Sequence, residues 1–597
     1  GLGLALCEEI CRIHKGAFAI DSRVGKGTLI TLRFPLAAPP VPGQEAEGAL
    51  AAAGSALAVT GCAPTRQGEE KLSDTGTATA SGNPAWLGDE PEIGEIARTE
   101  DTDFLIIGAG CAGTAAAATA SDMGLNFICC EKNTSVQETR EYFGGVNTKY
   151  QKEAKIEIDE AKLLNELSRY ASGKCNQKLI NMWIRESGET LEWFDPIMQA
   201  ADKQGVLTVH TADHPTGGTD YYVPVLEHLW LTPYEPPMRN DLLADYVAAA
   251  GNPIRFGYEM IRLVHEDGKV TGAIFETDEG RVQINATNTL IATGGYPANP
   301  DMMEALSPAA LACSTAASFA PNDTGDGIKA ALWAGASKDP EAAPMLFDRG
   351  AVAPGVDAGY DGAGDSRGLP GTIFQENIGS QPFMKVNRRG ERFVNESAPY
   401  DFMGNAAAQQ PGGVWCQIFD ANAPEDILRF DTIGCSGFAK QMMAAGMPID
   451  EFCAASLESG IMVKADTLEE LADAMGFAGD DKTAFLDQVE RYNAQFDAQR
   501  DDEFGKEAYR LSAIRQAPFY GCWFGCSLLT TLDGLRINEH CQVIDKDCNV
   551  IEGLYAAGDA SGSFFSGNYP EYLVGVASGR STVQGRHVAR FLAGDLA

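Results

Sequence analysis

The stretch that most limits how this chain can fold runs from Asp103 to Gly145. Phe104-Leu105-Ile106-Ile107 is an apolar run of buried-strand type, and it feeds directly into Gly108-Ala109-Gly110-Cys111-Ala112-Gly113, a G-x-G-x-x-G turn. Ala115 to Met123 is Ala-rich and free of Gly and Pro, which predicts a helix whose first N–H groups face the turn and offer partial positive charge to a pyrophosphate. Gly108 permits the tight turn, Gly110 lets the backbone approach phosphates, and Gly113 lets the helix pack on the strand. A second strand, Asn126 to Cys130, ends at Glu131, a carboxylate suited to ribose hydroxyls, with Lys132 beside it. A bare G-x-G-x-x-G is a weak signal, since Gly-rich turns occur in many loops. Bracketed by strand, helix, strand and a terminal acid, it reads as the first half of a dinucleotide site, against the alternative of an ordinary βα turn.

At 597 residues the chain exceeds what one hydrophobic core usually serves, so two or more domains are expected. Its 83 acidic against 46 basic residues give a formal charge of −37, which repels a phosphate backbone and argues against nucleic acid as a partner. Fifteen cysteines, an odd number in so long a chain, are no disulfide framework. No C-x-x-C-H occurs, so no c-type haem is attached and electrons for redox chemistry must come from elsewhere. Two constellations invite a metal reading, and neither supports one. The spacing of Cys522, Cys526, Cys541 and Cys548 matches neither ferredoxin pattern, and His210, Asp213 and His214 lack the helical or hairpin frame of metal ligands.

Residues 1–36 do not belong with the rest of the chain. Gly1-Leu2-Gly3-Leu4, a helix-like stretch to His14, Asp21 to Thr28 with its paired glycines, and the strand Leu29 to Phe34 resemble the last segment of a sensor histidine kinase ATP-binding domain. The boxes that hold Mg²⁺ and adenine in that family are absent, so the fragment is expected to be inert. Residues 37–100 are rich in Ala, Gly, Pro, Ser and Thr and read as linker. Within it Ala49 to Thr60, followed by Gly61-Cys62, resembles the apolar region and lipid-attachment cysteine of a bacterial lipoprotein signal. That stretch is shorter than the roughly 20 residues of a transmembrane helix. Gln44-Glu45-Ala46-Glu47 stands where its basic leader should be, leaving two destinations open: an exported, envelope-associated core, or a chain that stays in the cytoplasm.

Further along, Phe143-Gly144-Gly145 gives the backbone licence to approach a flat ligand. Residues 161–203 read as helical, with Trp183, Ile184, Leu191, Trp193 and Phe194 as core. Strand-like runs over 258–275 and 281–292 end in Thr293-Gly294-Gly295. Asn322 to Ala336, containing Thr324-Gly325-Asp326-Gly327, gives a turn entering a helix, and 466–500 an acidic amphipathic helical region. Gly553-Leu554-Tyr555-Ala556-Ala557-Gly558-Asp559 is a strand closing on Gly-Asp, and a last helix is predicted from about Ser578 to Leu592.

In this order the glycine turn with Glu131, A292-T-G-G295, T324-G-D-G327, G390-E-R-F-V-N-E396 and G553-L-Y-A-A-G-D559 resemble the FAD-dependent flavoprotein family of soluble fumarate reductases and 3-ketosteroid Δ1-dehydrogenases, from about Asp101 to the C-terminus. The resemblance implies an α/β fold: a Rossmann-like FAD-binding domain in two segments, 101–340 and 525–597, with an inserted α+β capping domain over 341–524. It implies FAD, held non-covalently because no covalent attachment site is assignable. Glu131 would hold the adenosine ribose, Asp559 the ribityl or phosphate portion, and the isoalloxazine would lie near Phe143 to Gly145. Gly108, Gly110, Gly113, Lys132, Gly144, Gly145, Thr293, Gly294, Gly295, Asp326 and Gly558 complete the expected cofactor contacts. Relatives have Gly-Gly-Asn or Gly-Gly-Ser before the flavin loop, where this chain has Gln137-Glu138-Thr139, so contacts there do not transfer.

The catalytic positions depart further. Fumarate reductases bring arginines and histidines to two substrate carboxylates, which need charge-assisted partners and a proton donor. Here Tyr400, Tyr569 and Thr530 stand in three of those positions, which leaves no evident dicarboxylate clamp. Asn395 to Tyr400 and Asn568-Tyr569-Pro570 are similar to ketosteroid dehydrogenases, but Glu571-Tyr572-Leu573-Val574 replaces the glycine-rich segment found next in that family. The expected activity is reduction of an activated C=C bond of a small unsaturated organic acceptor other than fumarate, with Tyr400, Tyr569 and Tyr142 as catalytic candidates. A ketosteroid-dehydrogenase-like desaturase and a non-catalytic electron carrier in a complex are the alternatives. A separate electron donor is implied, with a membrane-associated cytochrome or quinol system as the candidate.

Overall fold

A computed structural model of the protein describes residues 17–23, 27–33, 82–137, 142–207, 221–232, 236–430, 432 and 434–596. The helix-like stretch before His14, the lipoprotein-signal-like segment, Glu138 to Arg140, and the loop carrying His210, Asp213 and His214 lie outside them. Two compact units divide the chain at Ser73/Asp74. Within the first, β1 (Ala17–Arg23) and β2 (Gly27–Arg33) form an antiparallel hairpin in which Ala17 faces Arg33.

The second unit is built on an eight-stranded mixed sheet. Its parallel centre runs in the order β19 (Val550–Ala556), β11 (Val282–Ile291), β3 (Arg98–Ile107), β4 (Phe127–Glu131) and β8 (Arg255–Phe256). β9 (Glu259–Glu266) and β10 (Lys269–Glu276) continue it antiparallel beside β11, and β18 (Gln542–Ile544) pairs with β19. Phe104 to Ile107 are buried on both faces, which is why that run carries no polar alternation. Helix α1 (Cys111–Asp122) follows β3 and starts earlier than its Ala-rich stretch, at the second half of the glycine turn. The last helix, α6 (Val576–Leu592), crosses α1 so closely that a Cβ on Gly585 would lie 2.0 Å from the Ala112 carbonyl oxygen.

The helical stretch after residue 160 is two helices, α2 (Glu160–Tyr170) and α3 (Gln177–Ala200). Trp183, Ile184, Leu191 and Phe194 are buried as expected, whereas Trp193 is only half-buried and donates from Nε1 to Asp122 at 2.7 Å. α3 packs on a small sheet of β5 (Phe143–Gly144), β7 (Glu227–Thr232) and β6 (Gln204–Leu207), with Phe194 edge-on to Phe143.

A second, six-stranded sheet is centred on β17 (Phe519–Thr531), flanked by β12 (Ser314–Ala317), β13 (Pro344–Val352), β15 (Trp415–Phe419) and β16 (Met462–Ala465), with β14 (Met384–Val386) beyond β15. It takes a strand from before residue 341, and the 524/525 boundary falls inside β17, where Phe524 and Gly525 are consecutive ladder residues. Cys522 and Cys526 are in this strand, while Cys541 and Cys548 flank β18 in the other sheet. Helix α4 (Tyr400–Ala407) packs on β13, and α5 (Gly479–Ala498) covers the far side.

The linker expected over 37–100 ends sooner than its composition suggests. Leu87 is buried, Trp333 Nε1 donates to the Gly88 carbonyl at 3.2 Å, and Arg281 clamps the carbonyls of Glu92 and Ile93. Among the described residues no helix is long and apolar enough to cross a membrane.

Candidate active site

The C-terminal ends of β3, β4, β11 and β19 come together, and beyond them lies a cavity of about 300 Å³ reaching to the six-stranded sheet. This is where an open α/β sheet binds its ligand. Gly108, Gly110, Glu131, Lys132, Thr293, Gly294, Asp326, Gly558 and Asp559 all line it, as do Tyr142 and Tyr569. A Cβ on Gly110 would meet nothing within 4 Å, so the backbone there is open to a ligand. The α1 N-terminus beside it has no side-chain cap and no acid in its first turn, leaving its N–H groups to an anion. Thr293 Oγ1 is buried at the same turns without a hydrogen-bond partner.

Gly113, Gly144, Gly145 and Gly295 stand back from the cavity, and each is glycine for a packing reason. A Cβ on Gly113 would lie 1.8 Å from the Gly108 carbonyl oxygen, and one on Gly295 would lie 2.5 Å from Thr531 Oγ1. Gly144 donates its N–H to the Gly575 carbonyl at 2.8 Å, and a Cβ on it would lie 2.7 Å from the Gly575 carbonyl carbon. A Cβ on Gly145 would lie 2.9 Å from the Phe143 ring. The residues that reach the wall beside this contact are Tyr142, Val574, Gly575 and Ala577.

Glu131 is a buried carboxylate with three donors already on it. Oε2 accepts from Ala109 N at 2.8 Å, and Oε1 from Asn133 N and Nδ2 at 2.9 and 2.7 Å. It therefore ties the end of β4 to the glycine turn while lining the cavity. Lys132 Nζ pairs with Asp326 at 2.7 Å and donates to Thr324 Oγ1 at 2.9 Å. Asp559 accepts from Arg580 at 2.8 Å and from Thr530 Oγ1 at 2.9 Å; burial pushes its carboxyl up, and the Arg580 charge works against that. Asp323, next to Gly294, is pushed up to about 7 by burial and then by the Asp559 charge, against the pull of Lys132.

Toward the six-stranded sheet the wall changes character. Met345 and Phe347 of β13, Leu529 of β17, Val574, Tyr569 and Glu571 form it. Tyr569 OH accepts from Ala577 N at 3.4 Å, and its ring lies edge-on to Phe565. Tyr400 is not on this wall. It sits behind Phe347, ring centroids 5.4 Å apart, and its hydroxyl meets Ser436 and receives Arg349 NH2 at 3.0 Å. Sequence reasoning misses Arg349, Asp323 and Glu571 because none belongs to a spaced motif; the signal for Glu571 is the loss of the glycine-rich segment after Tyr569-Pro570.

A free helix N-terminus, an open glycine cradle and a ribose-suited acid fit FAD, for which α1 would hold the pyrophosphate and Glu131 the adenosine ribose. Residues 103–572 match the family model described as FAD binding domain. The chain is 28% identical over 524 residues to the vinyl phenol reductase of Lactiplantibacillus plantarum, covering 83% of this chain and 98% of that protein. It is 24% identical over 509 residues to the fumarate reductase (cytochrome) of Shewanella frigidimarina, covering 81% and 75%. The solved 3-ketosteroid delta1-dehydrogenase from Sterolibacterium denitrificans shares the fold with a TM-score of 0.62 at 19% identity, over 83% of this chain and all of that one. The chain belongs to the FAD binding domain family, as an FAD-dependent oxidoreductase of the fumarate reductase and 3-ketosteroid dehydrogenase group that acts on C=C and CH–CH bonds.

Proposed function

We infer that the protein reduces the activated C=C bond of an apolar acceptor that carries at most one negative charge. One observation carries this reading: Lys132 is the only cation among the described residues lining the cavity, and it is already paired with Asp326. Fumarate brings two carboxylates, each calling for a guanidinium fork or an equivalent charge-assisted donor. Here such an anion would meet no unpaired cation among the described lining residues, only a wall of Met345, Phe347, Leu529, Tyr569 and Val574. That wall excludes water and suits an aromatic or aliphatic body. The likeness to a vinyl phenol reductase, whose name describes an apolar acceptor, points the same way.

When bound, FAD supplies the hydride for one carbon of the double bond. The chain supplies the rest. The α1 N-terminus and Glu131 position the cofactor, Tyr142 and Tyr569 stand on the wall for polar contacts, and the apolar strand ends keep the reacting carbons dry. A phenol with a free pKa of about 10, or a carboxyl protonated by burial, is an acid rather than a base, which favours reduction over desaturation. Electrons come from a separate donor.

The test is to reduce the enzyme with a viologen dye and compare fumarate with vinyl phenols, cinnamate-type monoacids and neutral enones. An apolar acceptor should exceed fumarate in kcat/KM by about 10²-fold or more, since two unpaired carboxylates forgo charge-assisted bonds of about 1.5–3 kcal/mol each. Efficient fumarate turnover would overturn the reading.

A further inference from the structure

On that reading the acceptor takes a hydride at one carbon and needs a proton at the other, and Tyr400, one of the candidates by sequence, lies behind the wall. We propose that Glu571 is the proton donor to the reduced double bond.

Glu571 lines the cavity between Tyr569 and Val574, on the side built by Met345, Phe347 and Leu529. It is 7% exposed, and its Oε2 has no hydrogen-bond partner. The other acids on the wall belong to the dinucleotide half: Glu131 is held by Ala109 and Asn133, Asp326 by Lys132, Asp559 by Arg580, and Asp323 lies against Gly294. Glu571 is thus the one acid among the described residues that line the apolar half of the cavity.

Its surroundings favour the proton-bearing form. Burial comes first, and the Asp401 and Asp348 carboxyls beside it add like charge, so the Glu571 carboxyl is pushed well up. The backbone N–H of Tyr400, at the start of α4, lies against it and opposes that shift only in part. Asp401 in turn receives Tyr170 OH at 2.6 Å and the Tyr569 backbone N–H, and burial raises it as well. Tyr572, whose hydroxyl donates to Glu166 at 2.5 Å, also faces Glu571. Two adjacent buried carboxyls cannot both ionise cheaply, so the pair holds a proton near neutrality. Tyr569, a phenol on the same wall, is by type a weaker acid than a carboxyl, and its oxygen accepts from Ala577 N.

In the step, the acceptor's π bond breaks and two C–H bonds form. One takes the hydride, carrying both electrons that originate with the separate donor. The other takes the Glu571 proton, leaving a carboxylate that is reprotonated from water after product leaves.

The experiment uses full-length flavin-loaded enzyme and the Glu571→Gln and Tyr569→Phe variants. With the preferred acceptor, Glu571→Gln should lower kcat by about 10²–10⁴-fold with KM little changed. Flavin content should match wild type, and so should the rate at which reduced viologen reduces the bound flavin, because delivery of electrons to the flavin needs no proton from the wall. Independently of turnover, wild type should show the infrared carbonyl band of a protonated carboxyl at pH 7, and Glu571→Gln should lose it. Glu571→Gln activity within twofold of wild type, or a Glu571 that infrared shows ionised at pH 7, would overturn the role. A large kcat loss in Tyr569→Phe with Glu571→Gln unaffected would move the role to the phenol. Wild type that turns over no unsaturated acceptor would instead sink the proposed reaction, and this role with it.

Discussion

Gly110 and Gly144 look alike in the sequence, each a glycine beside a short strand, yet they do different work. Gly110 faces open space at a helix N-terminus, while Gly144 is pressed against the Gly575 backbone. Gly110→Ala should therefore leave the thermal midpoint of the flavin-free protein nearly unchanged and weaken FAD binding. Gly144→Ala should cost about 1–3 kcal/mol of stability by overpacking, because its neighbour is backbone and cannot rotate away. Chemical unfolding and flavin titration of the two variants separate the cases, and flavin loss without destabilisation in Gly144→Ala would restore it as a cofactor contact. Glu131 is legible because an acid after the second strand of a G-x-G-x-x-G unit has one habitual use. Its second task, accepting Ala109 N, is not, because it depends on a fold that returns β4 beside β3. Glu131→Ala should weaken FAD binding by about 1.5–3 kcal/mol through loss of a charge-assisted hydrogen bond. Unchanged affinity by fluorescence titration would remove Glu131 from the site. Glu571 reads in the sequence only as a departure, since a buried acid announces itself through neighbours brought from α4 and β13, not through spacing.

At the scale of elements, α1 with its glycine turn and α6 are readable from local pattern, the first from glycine spacing and the second from an uninterrupted helical run after Gly575. β17 is not. All thirteen of its residues are buried, so it shows no alternation, and Gly521, Cys522, Gly525 and Cys526 disguise it as a turn or a cluster of thiols. The stretch G390-E-R-F-V-N-E396 is legible as a signature but not as a device. Arg392 forks onto Glu396 at 2.7 and 2.8 Å and reaches Asp501, just beyond α5, at 2.9 Å, with all three side chains fully buried. It therefore ties the loop after β14 to the helix covering the sheet. Burial alone would raise the Glu396 carboxyl, but the Arg392 and Lys506 charges outweigh it and hold it at about 2. A depressed carboxyl stabilises the fold above its unfolded pKa, about 4.3, and that contribution is lost as pH falls through the folded value. Stability should thus drop between about pH 4.5 and 2. Arg392→Met should cost about 3–5 kcal/mol at pH 7 by leaving buried carboxylates unpaired. Urea unfolding at pH 7 and pH 3 checks both, and equal losses from the substitution at the two pH values would remove the charge from the explanation.

For the whole molecule the question is where the working body begins. Composition places the change near residue 100, because residues 83–97 are short of apolar periodicity. The structure places contacts earlier: Leu87 is buried, Gly88 accepts from Trp333, Arg262 donates to the Pro91 carbonyl at 2.7 Å and pairs with Glu90, and Arg281 holds Glu92 and Ile93. Composition misleads here because the stretch is fastened by its backbone carbonyls, which carry no residue signature, onto arginines that lie far along the chain. A cut after Ser73, at the division between the two compact units, removes none of these bonds. A cut after Ala97 removes all of them, together with the hydrogen bond from Ala97 N to the Arg281 carbonyl just before β3. Deleting residues 1–73 should leave flavin content and unfolding midpoint nearly unchanged. Deleting residues 1–97 should destabilise the protein by about 2–5 kcal/mol, the burial of one leucine plus a few part-exposed hydrogen bonds. Side-by-side urea titrations of both deletions with the full chain decide it: equal stability would show that residues 82–97 contribute nothing, and a large loss on the shorter deletion would show that the first unit supports the flavin-binding body.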